Sequence, residues 1–136
     1  MNKRVLVVDD NKNNRILESD ILEIAGFTVL EAETAQQGID LALREHPDII
    51  VMDVRLPDMR GTEAAKILRQ NDRFLHVPII FVTASVMGAD KREMVGITNI
   101  GFIGKPINTR TFALEIERYL EDGQHLVKAQ KAKESS

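Results

Sequence analysis

Two apolar runs that each end in a carboxylate constrain this chain more than any other feature. The run at residues 5–8 is followed by Asp9 and Asp10, and the run at residues 49–52 is followed by Asp53. Continuous runs of Val, Ile and Leu predict strands that are buried on both faces, as in a parallel sheet. We therefore expect a fold built on strands that deliver acids to their C-terminal ends.

Predicted helices alternate with these strands. The spacing of apolar residues predicts helices over 12–25, over about 35–46 after a Thr34 cap, and over 62–70. A weaker pattern covers 87–95, and Asn108 is suited to cap a last helix. Further strands are expected at 27–31, 79–82 and 102–103. Five alternations of strand and helix predict an α/β fold, a doubly wound parallel sheet with helices on both faces.

Composition limits the classes of function. The chain has 136 residues, enough for one domain, and a net charge of −3, which argues against binding to nucleic acid through a positive surface. It has no Cys, so disulfides and thiolate metal sites are excluded. No apolar window reaches the length of a membrane span or a signal-peptide core. A cytoplasmic protein without a membrane partner is the expectation.

Polar residues at the strand ends predict one site. In an open α/β sheet the carboxyl ends of the strands meet where ligands bind, and here they carry Asp9, Asp10, Asp53, Thr83 and Lys105. Three crowded carboxylates repel one another, and a divalent cation relieves this. With oxygen ligands and no His or Cys in the motif, Mg²⁺ is favoured. A lysine and a hydroxyl beside it suit a phosphoryl group.

Taken singly, each residue has an ordinary explanation. Asp9 and Asp10 fit helix capping, and Asp53 fits a solvated loop acid. Thr83 fits a turn hydroxyl, and Lys105 an ordinary surface lysine. Each of these residues nevertheless follows an apolar strand in the same chain, and this joint pattern favours the site.

Four motifs give the chain a family resemblance. They are Val7-Val8-Asp9-Asp10-Asn11, the run from Met52-Asp53 to Arg60-Gly61, Val82-Thr83-Ala84 and Gly104-Lys105-Pro106. With them the chain resembles the receiver domain of bacterial two-component response regulators, from about residue 3 to 120. The resemblance implies a flavodoxin-like sheet of order 2-1-3-4-5 with five helices. It also implies a receiver at residues 1–122 followed by a polar tail at 123–136.

The resemblance implies a role for each acid. Asp53 would accept a phosphoryl group from a phosphohistidine of a sensor histidine kinase or a histidine phosphotransfer protein. Asp10, Asp53 and the backbone carbonyl of Arg55 would hold Mg²⁺, and Asp9 would act through a metal-bound water. Such a domain is not a conventional enzyme, although it assists its own phosphorylation and dephosphorylation.

The resemblance also implies a switch. Lys105 would pair with a phosphoryl oxygen, and Thr83 would move to hydrogen-bond another. Phe102 stands where the family has its switch aromatic, and a plain core role is the alternative. Arg55 and Ser85 occupy positions that tune how readily water reaches the phosphoaspartate.

Partners follow from the same resemblance. The fourth helix, fifth strand and fifth helix would form a face for a downstream protein target. The kinase would dock on the first helix and the last strand–helix loop, at Lys12, Asn14, Arg15 and Ile107. A monomer or weak dimer is expected, either as a stand-alone receiver or as one excised from a larger regulator.

Two other function classes remain open on the sequence. A pseudo-receiver would bind a protein partner without being phosphorylated, but such modules typically lose some of the site residues kept here. An enzyme of similar fold is the other class. A flavodoxin would need a Ser-, Thr- and Gly-rich phosphate loop after the first strand. An Asp-dependent phosphatase would need a second Asp two residues after the first, where this chain has Asn11 or Lys12.

Overall fold

The five strands form one parallel sheet. A computed structural model describes residues 3–84, 92 and 94–122. Its strands are β1 (Arg4–Val8), β2 (Thr28–Ala32), β3 (Ile49–Asp53), β4 (Ile79–Thr83) and β5 (Ile100–Gly104). They lie in the order β2-β1-β3-β4-β5, and every neighbouring pair is parallel. The predicted order 2-1-3-4-5 is confirmed.

Helices connect the strands as expected. They are α1 (Lys12–Ile24), α2 (Ala35–Glu45), α3 (Gly61–Arg69) and a C-terminal helix at residues 112–122. The described residues thus contain four of the five predicted helices, because the predicted helix at 87–95 falls largely outside them. Asn108 caps a turn rather than the last helix itself. Its Oδ1 accepts a hydrogen bond of 3.0 Å from the Arg110 N–H, and the helix begins only at residue 112.

Both faces of the sheet are buried. Alternate strand residues point to opposite faces, so each strand contributes to two hydrophobic clusters. One cluster contains Leu6, Val8, Ile50, Met52, Ile79 and Phe81, and it lies under α2 and α3. The other contains Val5, Val7, Ile49, Val51, Ile80 and Val82, and it packs against Leu22 of α1 and the C-terminal helix. The continuous apolar runs are explained by this burial from two sides.

The buried face of α1 differs from the one that its apolar residues predict. Ile16 and Leu17 are each 42% exposed, and Ile24 is 87% exposed. The buried residues of this helix are Arg15, Glu18, Ser19 and Leu22. The N-terminal half of α1 therefore presents polar side chains to the end of the sheet where Asp9 lies, and hydrophobic periodicity does not detect such a face.

A short 3-10 helix at Asp72–Phe74 was not predicted from the sequence. It buries Phe74, of which 1% is exposed. Arg69 at the end of α3 holds this segment, because its guanidinium donates hydrogen bonds to the carbonyls of Phe74, Thr98 and Asn99. No helix within the described ranges is long and apolar enough to cross a membrane.

Candidate functional site

Three carboxylates meet at the C-terminal ends of two adjacent strands. Asp9 and Asp10 follow β1, Asp53 ends β3, and these two strands are paired side by side. Each of the three residues has a carboxylate oxygen within 4.8 Å of an oxygen of the others. The convergence expected from strand order is therefore present in the structure. Hard oxygen ligands at this separation fit a small divalent cation such as Mg²⁺.

Asp9 is the buried member of the group, with 1% of the residue exposed. Its Oδ1 accepts a hydrogen bond of 2.9 Å from the Asn11 N–H, and its Oδ2 lies 3.5 Å from Lys105 Nζ. Burial raises the pKa of this carboxyl, and the charge of Asp53 adds to the rise, although Asn11 and Lys105 oppose it. The site therefore disfavours a full set of charged acids unless more positive charge enters it.

Lys105 brings a positive charge next to these acids. Its Nζ lies 2.7 Å from Asp53 Oδ2, and its backbone N–H donates to the Thr83 carbonyl at 2.8 Å. Burial by itself lowers the pKa of the lysine, but the hydrogen bond to Asp53 and its charge outweigh burial, so the pKa is raised. Lys105 stays protonated beside Asp53, in position to meet a phosphoryl oxygen.

Thr83 and Phe102 lie on the same face of the sheet. Thr83 ends β4 and is 4% exposed, and Phe102 is the register partner of Phe81 in β5. Because side chains alternate along a strand, Phe81, Thr83 and Phe102 share one face. The rings of Phe81 and Phe102 are 6.3 Å apart, and Phe102 is half-buried. A movement of Thr83 would therefore change the packing on the face of the sheet where the Phe102 ring lies.

The loop after β3 is folded back against the site. The Arg55 N–H donates to Asp53 Oδ1 at 3.1 Å, and Arg55 pairs with Arg60 as an antiparallel bridge. Gly61 is required where the loop closes, because a Cβ there would lie 2.2 Å from the Asp53 carbonyl oxygen. The Arg55 side chain is exposed. Ser85, the other residue expected to tune dephosphorylation, lies outside the described residues.

Asp58 has a structural role that sequence reasoning missed. Its two carboxylate oxygens accept hydrogen bonds of 2.9 Å each from the N–H groups of Ala35 and Gln36, at the start of α2. Burial raises its pKa, but the backbone hydrogen bonds together outweigh burial, and the pKa is lowered. Asp58 therefore ties the loop that follows Asp53 to a neighbouring helix. No local pattern predicts this contact, because the partners are far apart in the chain.

Glu18 is a second acid that the sequence did not reveal. It lies on the buried face of α1, although a charged residue on a helix is normally expected at the surface. It lines a cavity of about 370 Å³ beside the site, together with Asn14, Ile107 and Lys105. Burial raises its pKa to about 8. The signal available in the sequence was its spacing of four residues from Leu22, which places both on one face.

Arg15 is not available as an exposed docking residue. It is 8% exposed, and its guanidinium donates to the Asp9 carbonyl at 2.8 Å. It also forms ion pairs with Glu31 at 3.3 Å and Glu33 at 3.2 Å. The expectation that Arg15 takes part in kinase docking is therefore not supported, because these contacts commit its side chain to holding α1 against the end of β2.

Comparison with known proteins identifies relatives over almost the whole chain. A model of the response regulator receiver domain family matches residues 5–117. The chain is 35% identical over 122 residues to the polar-differentiation response regulator DivK of Brucella ovis, covering 90% of this chain and 99% of DivK. DivK of Brucella anthropi is similar to the same extent.

Solved structures agree with this assignment. The chemotaxis response regulator CheY4 of Vibrio cholerae superposes with a TM-score of 0.82 at 28% identity, covering 88% of this chain and 99% of CheY4. A CheY-like receiver domain protein from Methanospirillum hungatei gives a TM-score of 0.84 at 27% identity, covering 92% and 98% of the two chains.

Proposed function

Because this chain belongs to the response regulator receiver domain family, we propose that Asp53 is its phosphoacceptor and that Lys105 and Thr83 serve the transferred phosphoryl group. The chain is a receiver of phosphorelay signalling, as its family is. The observation that carries the assignment of Asp53 is the distance of 2.7 Å between its Oδ2 and Lys105 Nζ. Asp9 lies farther from Lys105 Nζ, at 3.5 Å.

Mg²⁺ is the cofactor that we propose for this site. Asp10 and Asp53 would hold it with the Arg55 backbone carbonyl, and Asp9 would act through a water. The proposal is supported by the three carboxylates within 4.8 Å and by the raised pKa of Asp9, which reflects burial and the nearby negative charge of Asp53. When bound, Mg²⁺ supplies positive charge that offsets the charge of the acids and of a phosphoryl group.

The chain's own residues then perform the transfer. An Asp53 carboxylate oxygen supplies the electron pair for the new oxygen–phosphorus bond, while the nitrogen–phosphorus bond of the phosphohistidine breaks and its electron pair leaves on the imidazole. Lys105 neutralises an equatorial phosphoryl oxygen. The Lys105 ammonium already lies 2.7 Å from Asp53 Oδ2, so its side chain needs little rearrangement to meet a phosphoryl group on Asp53.

Thr83 and Phe102 form the proposed switch. A new hydrogen bond from the Thr83 hydroxyl to the phosphoryl group would draw the end of β4 toward the site, and the Phe102 ring would turn inward on the same face. The signal would then be read on β5 and the C-terminal helix by a downstream protein. Arg55 and Ser85 would set the access of water to the phosphoaspartate.

The partners are proposed by class. A sensor histidine kinase or a histidine phosphotransfer protein would dock at Lys12, Asn14 and Ile107, since Asn14 and Ile107 line the cavity beside Lys105. We propose that residues 1–122 form the receiver and that 123–136 form a polar tail. The receiver would act as a monomer or weak dimer.

Intact-mass measurement tests the function. The protein is incubated with Mg²⁺ and acetyl phosphate, and we expect a labile phosphoryl adduct on the wild type but not on Asp53→Asn. Asp20→Asn is the matched control, because Asp20 is an exposed acid on α1 outside the cluster. Absence of the adduct with any small donor would favour a pseudo-receiver, and an adduct that survives in Asp53→Asn would contradict the assignment of Asp53.

A further inference from the structure

The outer edge of β5 directs backbone groups away from the sheet. Within the described residues β5 is the last strand of the order β2-β1-β3-β4-β5, so it pairs on one side with β4. The carbonyl of Asn99, just before β5, accepts a hydrogen bond of 3.2 Å from the Ile79 N–H of β4. The N–H of Lys105, just after β5, donates to the Thr83 carbonyl at 2.8 Å. Because successive residues of a strand direct their backbone groups to opposite sides, those of Phe102 point to the open edge.

The hydroxyl of Tyr119, in the C-terminal helix, occupies this edge. Its oxygen accepts a hydrogen bond of 3.3 Å from the Phe102 N–H, and the hydroxyl donates to the Phe102 carbonyl at 3.4 Å. It thus binds both of the backbone groups that a further strand would otherwise pair. Gly101 leaves room for the Tyr119 ring, because a Cβ at that residue would overlap the ring. One side chain of the helix therefore holds the backbone of β5 at Phe102.

Phe102 and Tyr119 pack on opposite faces of the sheet. Phe102 packs against the hydrophobic cluster under α2 and α3, with its ring 6.3 Å from the Phe81 ring. Tyr119 packs against the other cluster, which contains Ile116 of the same helix. A turn of the Phe102 ring therefore takes place on the face away from the C-terminal helix. The two Tyr119 hydrogen bonds join these faces around the edge of the sheet.

We propose that Tyr119 is a positioning residue of the switch, which acts through the Phe102 backbone and carries its movement to the C-terminal helix. This inference rests on the proposed function, in which Thr83 and Phe102 respond to the phosphoryl group. The rotamer of a side chain depends on its backbone angles, so a ring that turns inward shifts the Phe102 backbone. Because the Tyr119 hydroxyl holds both backbone groups of that residue, the helix follows the shift.

Amide hydrogen exchange tests the two hydrogen bonds in the unphosphorylated protein. Tyr119→Phe removes the hydroxyl but keeps the ring beside Gly101. We expect the Phe102 N–H to exchange about threefold to tenfold faster in this variant, the range for loss of an ordinary hydrogen bond. The Ile103 N–H, which faces β4, should exchange equally in both proteins, and Arg118→Gln, on the exposed side of the same helix, is the control. Equal Phe102 exchange rates in the wild type and Tyr119→Phe overturn the proposal.

NMR of the phosphorylated protein tests transmission to the helix. Leu120 lines a cavity with Lys3, just before β1, so this end of the helix is far from the C-terminal ends of the strands, where the site lies. With acetyl phosphate and Mg²⁺ we expect amide chemical-shift changes at residues 117–122 of the wild type that are at least about twofold smaller in Tyr119→Phe. Changes at Lys105 should be the same in both proteins, because the variant leaves the site intact.

A second variant disturbs the same contact and keeps the hydroxyl. In Gly101→Ala the new Cβ displaces the Tyr119 ring, so both effects of Tyr119→Phe should be reproduced, and wild-type behaviour of this variant contradicts the proposal. Intact mass establishes that the proteins compared are phosphorylated to the same extent. If the wild type gives no phosphoryl adduct, the proposed function fails. If the adduct forms but the changes at residues 117–122 are equal in the wild type and Tyr119→Phe, this inference alone fails.

Discussion

At the scale of single residues, burial rather than residue type decides what each acid does. Asp9, Asp53 and Glu18 are all carboxylic acids near one lysine, but they differ in exposure and in partners. Both Asp9 and Asp53 accept a backbone hydrogen bond and lie near Lys105 Nζ, but Asp9 is buried and 3.5 Å from it, whereas the less buried Asp53 is 2.7 Å from it. Glu18 is buried without such a partner among the described residues, and its pKa is raised to about 8. Its protonation is therefore linked to folding.

The pH dependence of stability should reveal this linkage. The folded protein holds a proton on Glu18 up to about pH 8, while the unfolded chain loses it near the ordinary value of 4.5. The folded state thus binds more protons in this window, and the free energy of unfolding should fall as pH rises through it, by about 1.4 kcal/mol for each unit of pKa separation at most.

Urea unfolding of the wild type and Glu18→Gln between about pH 5 and about pH 9 checks this expectation. The glutamine variant has no proton to lose, so its stability should fall less over the same range. A parallel decline in both proteins would show that another group causes it.

At the scale of elements, side chains from distant segments fix the loops around the site. Asp58 joins the loop after β3 to the start of α2, and Arg69 joins α3 to the 3-10 helix and to the segment before β5. Arg15 joins α1 to the end of β2. These contacts hold the segments next to the strand ends, and the site residues lie at those ends.

Replacing Asp58 should weaken the attachment of this loop. Asp58→Ala removes both acceptors from the N-terminus of α2, and we expect a loss of about 1 kcal/mol in the free energy of unfolding, as for other helix caps. Asp58→Asn keeps one acceptor oxygen, so its free energy of unfolding should lie between those of the wild type and Asp58→Ala. Because the hydrogen bonds lower the Asp58 pKa, this stabilisation is present above the unfolded pKa and is lost as pH falls below it. Equal stabilities of wild type and alanine variant in urea would contradict the role.

Replacing Arg69 should lower the free energy of unfolding more than replacing Asp58. Its guanidinium donates to three carbonyl groups, and burial lowers its pKa to about 10. Arg69→Met leaves these carbonyls without their donor, so we expect a loss of about 2–4 kcal/mol. Lys66→Met, on the exposed side of the same helix, should be neutral. Thermal unfolding of both variants tests this expectation. Similar unfolding midpoints for Arg69→Met and Lys66→Met would contradict a stabilising role of the Arg69 hydrogen bonds.

At the scale of the whole molecule, the sheet brings its negative charge to one edge. Strand order places Asp9, Asp10 and Asp53 together, and the Lys105 ammonium offsets only part of their charge. Folding therefore concentrates repulsion that the unfolded chain does not have. A cation that binds the folded state alone relieves this repulsion and stabilises the fold by mass action.

Mg²⁺ should raise the unfolding free energy by about 2.7 kcal/mol when its concentration is about a hundred times its dissociation constant. Removal of the metal with a chelator should reverse the increase. The exposed Asp10 is the position to test, since Asp10→Asn removes one charge and one strong ligand from the cluster without disturbing the core. If Mg²⁺ raises the thermal unfolding midpoint of Asp10→Asn as much as that of the wild type, Asp10 is excluded as a ligand.

Much of the fold was determined by the sequence alone. The apolar runs at residues 5–8, 49–52 and 79–82 predicted strands buried on two faces, because neither face of such a strand carries polar side chains that could be exposed to water. Turn and cap residues such as Gly26 and Thr34 marked the ends of helices, since Gly26 adopts a φ of +102° and Thr34 Oγ1 accepts from the Gln37 N–H. The acids that follow the strands predicted the site as well, because the carboxyl ends of parallel strands meet at one edge of a sheet.

Only the tertiary structure decided which polar groups are buried. Periodicity predicted α1 as a helix but did not reveal which residues it buries, since Arg15 and Glu18 are buried while Ile24 is exposed. The contacts of Asp58 and Arg69 likewise join residues that no local pattern relates. Local sequence specifies strands and helices through short-range backbone and hydrophobic preferences, whereas the environment of a charge is set by long-range packing, and in this protein that packing gives Glu18 and Lys105 a common cavity.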